Sequence, residues 1–248
     1  MTLFSKEDII IVTGASSGIG ENVAIQLNNE GATVIAIARC EERLKKMKSK
    51  CKNPENIFIE IKDLTENIEG LPKYIRELKD KYGKFRGLAY CAGAVEVKPL
   101  QILDLVNMKK IFDINYFAPV FMAKGFADRR NNIGNGASAV FISSASTWLC
   151  SRGMTTYSGS KAALASSIKS ISRETASSGV RFNCVSPTDI KTPMTQSEHI
   201  LNTLQDRETR YPLGLGEVDD VANFIIFLLS DKAKWITTQN YLVDCGYM

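Results

Sequence analysis

Histidine is almost absent, since His199 is the only one in 248 residues. That removes histidine-rich metal sites, so no bound metal is expected, and it leaves no ready base for a Ser–His–Asp scheme. No CxxC pair occurs among the six cysteines, Cys40, Cys51, Cys91, Cys150, Cys184 and Cys245. Their scatter, several within apolar runs, fits reduced and mostly buried thiols of a cytoplasmic protein better than a disulfide framework. The longest strongly apolar run, Phe224 to Leu229, falls far short of the roughly 20 residues that a bilayer span needs. The opening MTLFSKEDII is unlike a secretory signal, so no membrane partner is expected. Internal repeats, Pro/Gly/Ser linkers and shifts of composition are also lacking, and one domain over residues 1–248 is expected.

Charge of one sign is scarce too. The formal net charge is +4, too small to imply a nucleic-acid face. The excess is concentrated at residues 39–52, where Arg39, Arg43, Lys45, Lys46, Lys48, Lys50 and Lys52 face only Glu41 and Glu42. Such a segment suits either an anionic ligand nearby or a solvated helix face. Nucleic-acid binding through it would demand salt-sensitive association.

What the chain does contain is an alternation of short β-branched runs with helical patterns. Strands are predicted at Ile9–Thr13, Thr33–Ala38, Ile57–Ile61, Gly87–Cys91, Ala139–Ser143, Val180–Val185 and Tyr241–Val243. Runs apolar along their whole length, separated by helix-length segments, read as parallel strands covered on both faces. Ile19, Val23 and Leu27 recur at helical spacing and Gly31 stands where a left-handed cap belongs. A second long helical pattern from Thr155 to Ser178 ends at Gly179. The expectation is an α/β, doubly wound, Rossmann-type domain. Only the stretch from Thr188 to about Leu213 breaks the rhythm. Its mixture of polar residues with Met194, Ile200, Leu201, Leu204 and Tyr211 suggests a lid after the sixth strand.

Three features carry chemistry. Thr13-Gly14-Ala15-Ser16-Ser17-Gly18-Ile19-Gly20 follows the first strand and opens the first helix. Glycines there permit a tight turn and close approach of backbone N–H groups to a pyrophosphate at the positive helix end. The second strand ends in Ala38-Arg39 rather than an acid. Arginine there suits the 2′-phosphate of NADP(H), with Glu41 and Glu42 leaving NAD(H) as the alternative. Finally, Tyr157 and Lys161 lie four apart on the long helix, and Ser144 lies just beyond the preceding strand. Their spacing puts phenol and ammonium on one helix face. The ammonium and the positive nicotinamide ring of an oxidised cofactor are expected to lower the phenol's pKa, making Tyr157 a general acid/base, with Ser144 holding a substrate carbonyl.

Together these motifs identify the chain as resembling the classical short-chain dehydrogenase/reductase family over essentially its whole length. The resemblance implies a seven-stranded parallel sheet and an oxidoreductase that moves a hydride between nicotinamide and a carbonyl or secondary alcohol. It implies that Asn115, in Asp113-Ile114-Asn115, is a fourth catalytic residue, and that Lys161 also bonds the nicotinamide ribose. It places Gly14, Ser16, Ser17, Gly18, Ile19, Gly20, Arg39, Asp63, Leu64, Ala92, Gly93, Tyr157, Lys161, Pro187, Ile190 and Thr192 against the cofactor. Homotetramers or homodimers are usual in the family. Departures are Cys91 for a usual asparagine, Thr188 for a glycine after Pro187, and Cys245 in Asp244-Cys245-Gly246.

Within that family the general appearance is nearest to 3-oxoacyl-carrier-protein reductases and to ketone or sugar reductases. A carrier-bound substrate would want arginines at the mouth, for which Arg129, Arg130 and Arg152 are available. The substrate pocket is expected from Ala94, Val95, Ser146, Trp148, Leu149, Met154 and Met194. Divergent enoyl reductases separate their Tyr and Lys by six residues, against three here. A non-catalytic NADP-binding sensor or scaffold is the competing class; such proteins typically lose the Tyr or the Lys.

Overall fold

The computed structural model describes residues 2–193, 195 and 211–247. Along the chain run β1 (Ile9–Thr13), α1 (Gly18–Asn29), β2 (Thr33–Ala38), α2 (Glu41–Lys48), β3 (Ile57–Ile61), α3 (Leu71–Tyr82), β4 (Phe85–Tyr90) and α4 (Leu105–Phe112). They are followed by α5 (Ala118–Ala127), β5 (Ser138–Ile142), α6 (Ser146–Leu149), α7 (Thr155–Thr175), β6 (Arg181–Pro187), α8 (Val218–Leu229) and β7 (Asn240–Val243). The strands form one seven-stranded parallel sheet in the order β3-β2-β1-β4-β5-β6-β7.

Alternate residues of each central strand feed two separate cores, because successive side chains of a strand point to opposite faces. Ile10, Val12, Val34, Ala36, Ala89, Val140 and Val185 pack with Val23 and Leu27 of α1 and with Val221, Ile225 and Leu228 of α8. Ile11, Ile35, Ile37, Leu88, Phe141 and Phe182 pack on the other face with Ile75 of α3, Met122 and Phe126 of α5, and Leu164 and Ile168 of α7. Burial on both faces is why these strands lack a polar alternation.

Strand boundaries differ from expectation where polar groups find partners. β4 begins at Phe85, not Gly87, because the buried Arg86 pairs with Asp231 at 2.7 Å and with Asp8 at 3.6 Å. It ends at Tyr90, because the N–H groups of Cys91 and Ala92 both donate to the Thr13 hydroxyl at 3.1 Å instead of to a strand. Gly31 (φ +99) and Gly179 (φ +73) take the left-handed positions past α1 and past the short turn after α7, as the sequence predicts. A capping box between Glu217 and Asp220 starts α8.

All six cysteines are free thiols, but only Cys51 and Cys184 are buried and Cys150 is exposed, so burial is less general than expected. Among the described residues no helix is long and apolar enough to cross a membrane. Of the expected lid, Thr188–Pro193, Thr195 and Tyr211–Leu213 are described, whereas Met194, Ile200, Leu201 and Leu204 lie outside the described residues.

Candidate active site

The chain starts in the middle of the sheet at β1, builds outward to β3, and returns to the centre at β4. Neighbouring crossovers therefore diverge above β1 and β4, opening a crevice at the carboxyl ends of the strands. A cleft of about 790 Å³ occupies this position.

One half of the cleft is built by the glycine loop. Gly14 (φ +66) lies so close to the segment after β4 that a Cβ there would come within 2.9 Å of the Ala92 nitrogen, and a Cβ on Gly20 would overlap the Gly14 carbonyl oxygen. Ser17 occupies the N-cap of α1 in extended backbone without a side-chain cap bond among the described residues. The first N–H groups of α1, at the positive end of the helix dipole, are thus left for an anion in a cradle shaped by missing side chains. These residues fit the pyrophosphate of a dinucleotide.

Farther along that half, Arg39 and Asp63 approach to 3.5 Å. Burial works against the Asp63 carboxylate, yet bonds from the Thr65 N–H (2.9 Å) and hydroxyl (2.7 Å), with the Arg39 charge, hold its pKa below the ordinary value. Leu64 is buried beside it. Arg43, one turn into α2, also lines the cleft. The lysines of the basic segment do not: Lys45 pairs with Glu41 at 2.7 Å, Lys50 with Glu21 at 2.6 Å, and Lys48 donates to the Ile57 carbonyl at 2.8 Å. Of that segment, Arg39 and Arg43 line the cleft, whereas these three lysines are engaged away from it.

The other half gathers Ser144, Tyr157 and Lys161. Ser144 stands two residues past β5, in a segment pinned to β6 by the Ser143 N–H to Val185 at 2.8 Å and the Ala145 N–H to Pro187 at 3.0 Å. Its hydroxyl accepts from the Ser146 N–H at 3.1 Å and lines the cleft with the Tyr157 phenol. Lys161, only 3% exposed, donates to the Ile142 carbonyl at 2.7 Å and stands 6.0 Å from the centre of the Tyr157 ring. Burial pushes its pKa down to about 8. The Tyr157 phenol is pushed up by burial, with the Ser144 hydroxyl opposing and the Asp189 charge adding to the rise. The lowering expected from Lys161 is therefore not produced by the protein's own groups, because desolvation prevails and the ammonium is aimed at a carbonyl.

Asn115 sits in a π-helical turn, Asp113–Phe117, between α4 and α5. It does not line the cleft itself. It accepts from the Ala94 N–H at 3.0 Å, donates to the Ala94 carbonyl at 2.8 Å, and lies 3.2 Å from Ser160, which in turn bonds the Tyr157 carbonyl at 2.7 Å. A π-turn re-aims side chains, and such turns recur at functional sites.

A family model described as enoyl-(acyl carrier protein) reductase matches residues 14–248. The chain belongs to the short-chain dehydrogenase/reductase family. Its relatives include a 3-oxoacyl-[acyl-carrier-protein] reductase of Rickettsia felis, 34% identical over 96% of this chain and 95% of that protein. An NADP-dependent (R)-specific alcohol dehydrogenase of Lentilactobacillus kefiri is 27% identical over 100% of this chain and 99% of the other. Among solved structures, a short-chain dehydrogenase/reductase of Brucella melitensis described as glucose/ribitol dehydrogenase superposes with a TM-score of 0.91, at 25% identity over 100% and 99% of the two chains.

In this short-chain dehydrogenase/reductase, every residue expected at the cofactor lines the one cleft, from Gly14 through Ser16, Ser17, Gly18, Ile19 and Gly20 to Ala92, Gly93, Pro187, Ile190 and Thr192. The Thr192 methyl would lie 3.3 Å from a Cβ on Gly18, so the segment after β6 closes onto the glycine loop. Of the expected substrate wall, Ala94, Val95, Ser146, Leu149 and Met154 line the cleft. Trp148 does not: it is 46% exposed, on the outward side of the short α6. Arg129 and Arg130 are likewise elsewhere, bonded to the Ser177 carbonyl and to Asp128, whereas Arg152 lines the mouth. Sequence reasoning missed Asp189 and Lys110, which join the lining. For Asp189 the signal was adjacency to the Pro187-Thr188 departure; for Lys110 there was none.

Proposed function

We propose that this protein is an NADP(H)-dependent oxidoreductase that reduces a small carbonyl compound or oxidises the corresponding secondary alcohol. The observation that carries the reading is the gathering of Ser144, Tyr157 and Lys161, the ammonium 6.0 Å from the centre of the Tyr157 ring, in the same cleft as the glycine cradle. When bound, NADP(H) would supply the hydride and, in its oxidised form, a positive charge that favours the phenolate.

The protein's own residues do the rest. Gly14, Ser16, Ser17, Gly18, Ile19 and Gly20 would hold the pyrophosphate, Asp63 and Leu64 the adenine, and Ile190 and Thr192 the carboxamide. Ser144 donates to the substrate carbonyl while Tyr157, kept protonated by its raised pKa, gives a proton to the oxygen as it becomes an alcohol. Lys161 holds the ribose, and with a pKa near 8 it can pass a proton toward the phenol. Asn115 fixes the Ala94 backbone beside both. Arg39 and Arg43 supply two cations for the 2′-phosphate, and no carboxylate ends β2, which supports NADP(H) over NAD(H). The NADP-dependent relative points the same way.

A 3-oxoacyl-carrier-protein substrate is the second reading, favoured by the Rickettsia felis relative and by Lys110 and Arg152 at the mouth. The competing sensor or scaffold role is disfavoured because the Ser144–Tyr157–Lys161 set is intact. We place the protein in the cytoplasm, as one domain that assembles into homotetramers or homodimers, without nucleic-acid or membrane partners. NADPH consumption against 3-oxoacyl thioesters, cyclic ketones and keto-sugars tests the reading. Turnover of at least one class is expected. Tight NADPH binding with no carbonyl reduced would favour the sensor, and a tighter Kd for NADH than NADPH would refute the cofactor assignment.

A further inference from the structure

Two segments wall the substrate half of the cleft. One follows β4 and contributes Ala94, Val95 and Val97; the other precedes α7 and contributes Leu149 and Met154. They meet where the Lys98 N–H donates to the Gly153 carbonyl at 2.8 Å. Gly153 takes φ +77, and a Cβ on it would come within 3.0 Å of a Val97 methyl and 3.4 Å of the Lys98 nitrogen. The Val97 side chain thus rests against bare main chain, an approach that a missing side chain permits.

The crossing is anchored on every side. Upstream of Val97, Asn115 holds both the N–H and the carbonyl of Ala94, at 3.0 and 2.8 Å. Downstream, the Lys98 ammonium pairs with Asp104, which is itself fixed at the N-cap of α4 by the Asn107 N–H at 2.8 Å. On the opposite wall, Gly153 directly precedes Met154, whose carbonyl accepts from the Ser158 N–H at 2.8 Å at the start of α7. Tyr157 lies in that same first turn, so the crossing is tied to the helix that carries the phenol. Val97 is 51% exposed, so much of its side chain is open to an occupant rather than sealed in the core. Its neighbours in the lining, Ala94, Val95, Leu149 and Met154, are apolar and suit an alkyl substituent. A rigid apolar stop distinguishes substrates by length, because each methylene that fits or fails to fit is worth about 10-fold or more in kcat/KM.

We propose that Val97, seated on Gly153, is a specificity-determining residue that limits the length of the apolar substituent on the substrate carbonyl. The proposal rests on the carbonyl-reductase reading above. It is tested with straight-chain methyl ketones from butanone to decanone. Where the wild type turns over 3-oxoacyl thioesters instead, the acyl chain is varied over the same range. Wild-type kcat/KM is expected to rise with chain length and then fall within the series. Val97→Ala should move the maximum to longer chains, raising the longest substrates about 10-fold or more relative to butanone. Val97→Leu should move the maximum to shorter chains. A merely structural role would scale all lengths alike, so an unchanged chain-length profile in both variants would overturn the proposal. So would a wild-type profile without a fall. The contact itself is read without turnover. Gly153→Ala should lower the Tm, and by less in a Val97→Ala background, because the two positions share one contact; strictly additive shifts would overturn the seating. Failure of the wild type to reduce any carbonyl compound would overturn the reading above and the length limit with it, while coupled Tm shifts would still register the contact.

Discussion

The Lys161 ammonium donates to the main-chain carbonyl of Ile142 at 2.7 Å, tying the middle of α7 to the last residue of β5. The charge is held where burial disfavours it, and its pKa falls to about 8. An unfolded lysine titrates near 10.4, so between those values the unfolded chain binds more protons and stability rises with pH. Below about pH 8 the folded protein carries the full penalty, on the order of 3 kcal/mol. Lys161→Met should therefore raise the Tm of the protein without added cofactor at pH 7, and the gain should shrink toward pH 10. Thermal melts at the two pH values check this, and a lowered Tm at pH 7 would count against it.

Tyr157→Phe should cut carbonyl reduction by about 10²- to 10⁴-fold, the usual share of a positioned acid, with the Kd for NADPH little changed. Because burial keeps the phenol protonated, reduction by the wild type should stay level through neutral pH and fall only in alkali. Oxidation of the alcohol requires the deprotonated phenol and should climb with pH. Initial rates in both directions across pH 6–10 would show whether the profiles have these opposite slopes.

Arg39 is 80% exposed, so its 3.5 Å pair with Asp63 contributes little to folding. Arg39→Ala should leave the Tm within a degree or two. A bond to phosphate is charge-assisted, and losing it should weaken NADPH binding about 10- to 100-fold while NADH is nearly unaffected. Fluorescence titrations with the two cofactors distinguish this from a general loss of affinity.

Asn115→Ala should destabilise the fold by about 2–4 kcal/mol, because two main-chain groups of Ala94 lose their partner at a buried position. Urea denaturation gives the number. A change below about 0.5 kcal/mol would show that solvent replaces the side chain without cost, removing the positioning role assigned to it.

Much of this is legible in the amino-acid sequence. β1, β2 and β3 fall on the predicted residues because their apolar runs are bounded by polar turns on both sides. The sequence predicts the start of β4 two residues late, because a charged Arg86 resembles a strand boundary, whereas in the fold Asp8 and Asp231, far away in sequence, neutralise it. Trp148 stands outside the substrate wall that the sequence predicts, because position near Ser144 carries no information on which side of a four-residue helix faces inward.

The sequence alone settled what depends on neighbours within one element. It set the backbone freedom of the glycine loop, the shared face of Tyr157 and Lys161, and the absence of an acid at the end of β2, since each follows from spacing of a few residues. Tertiary structure decided the electrostatics. Whether burial or the neighbouring ammonium governs Tyr157, that Asn115 braces Ala94, and that the Lys98 N–H reaches Gly153 all depend on segments tens of residues apart being packed together. Desolvation and long-range hydrogen bonding act only on groups that folding has brought into contact.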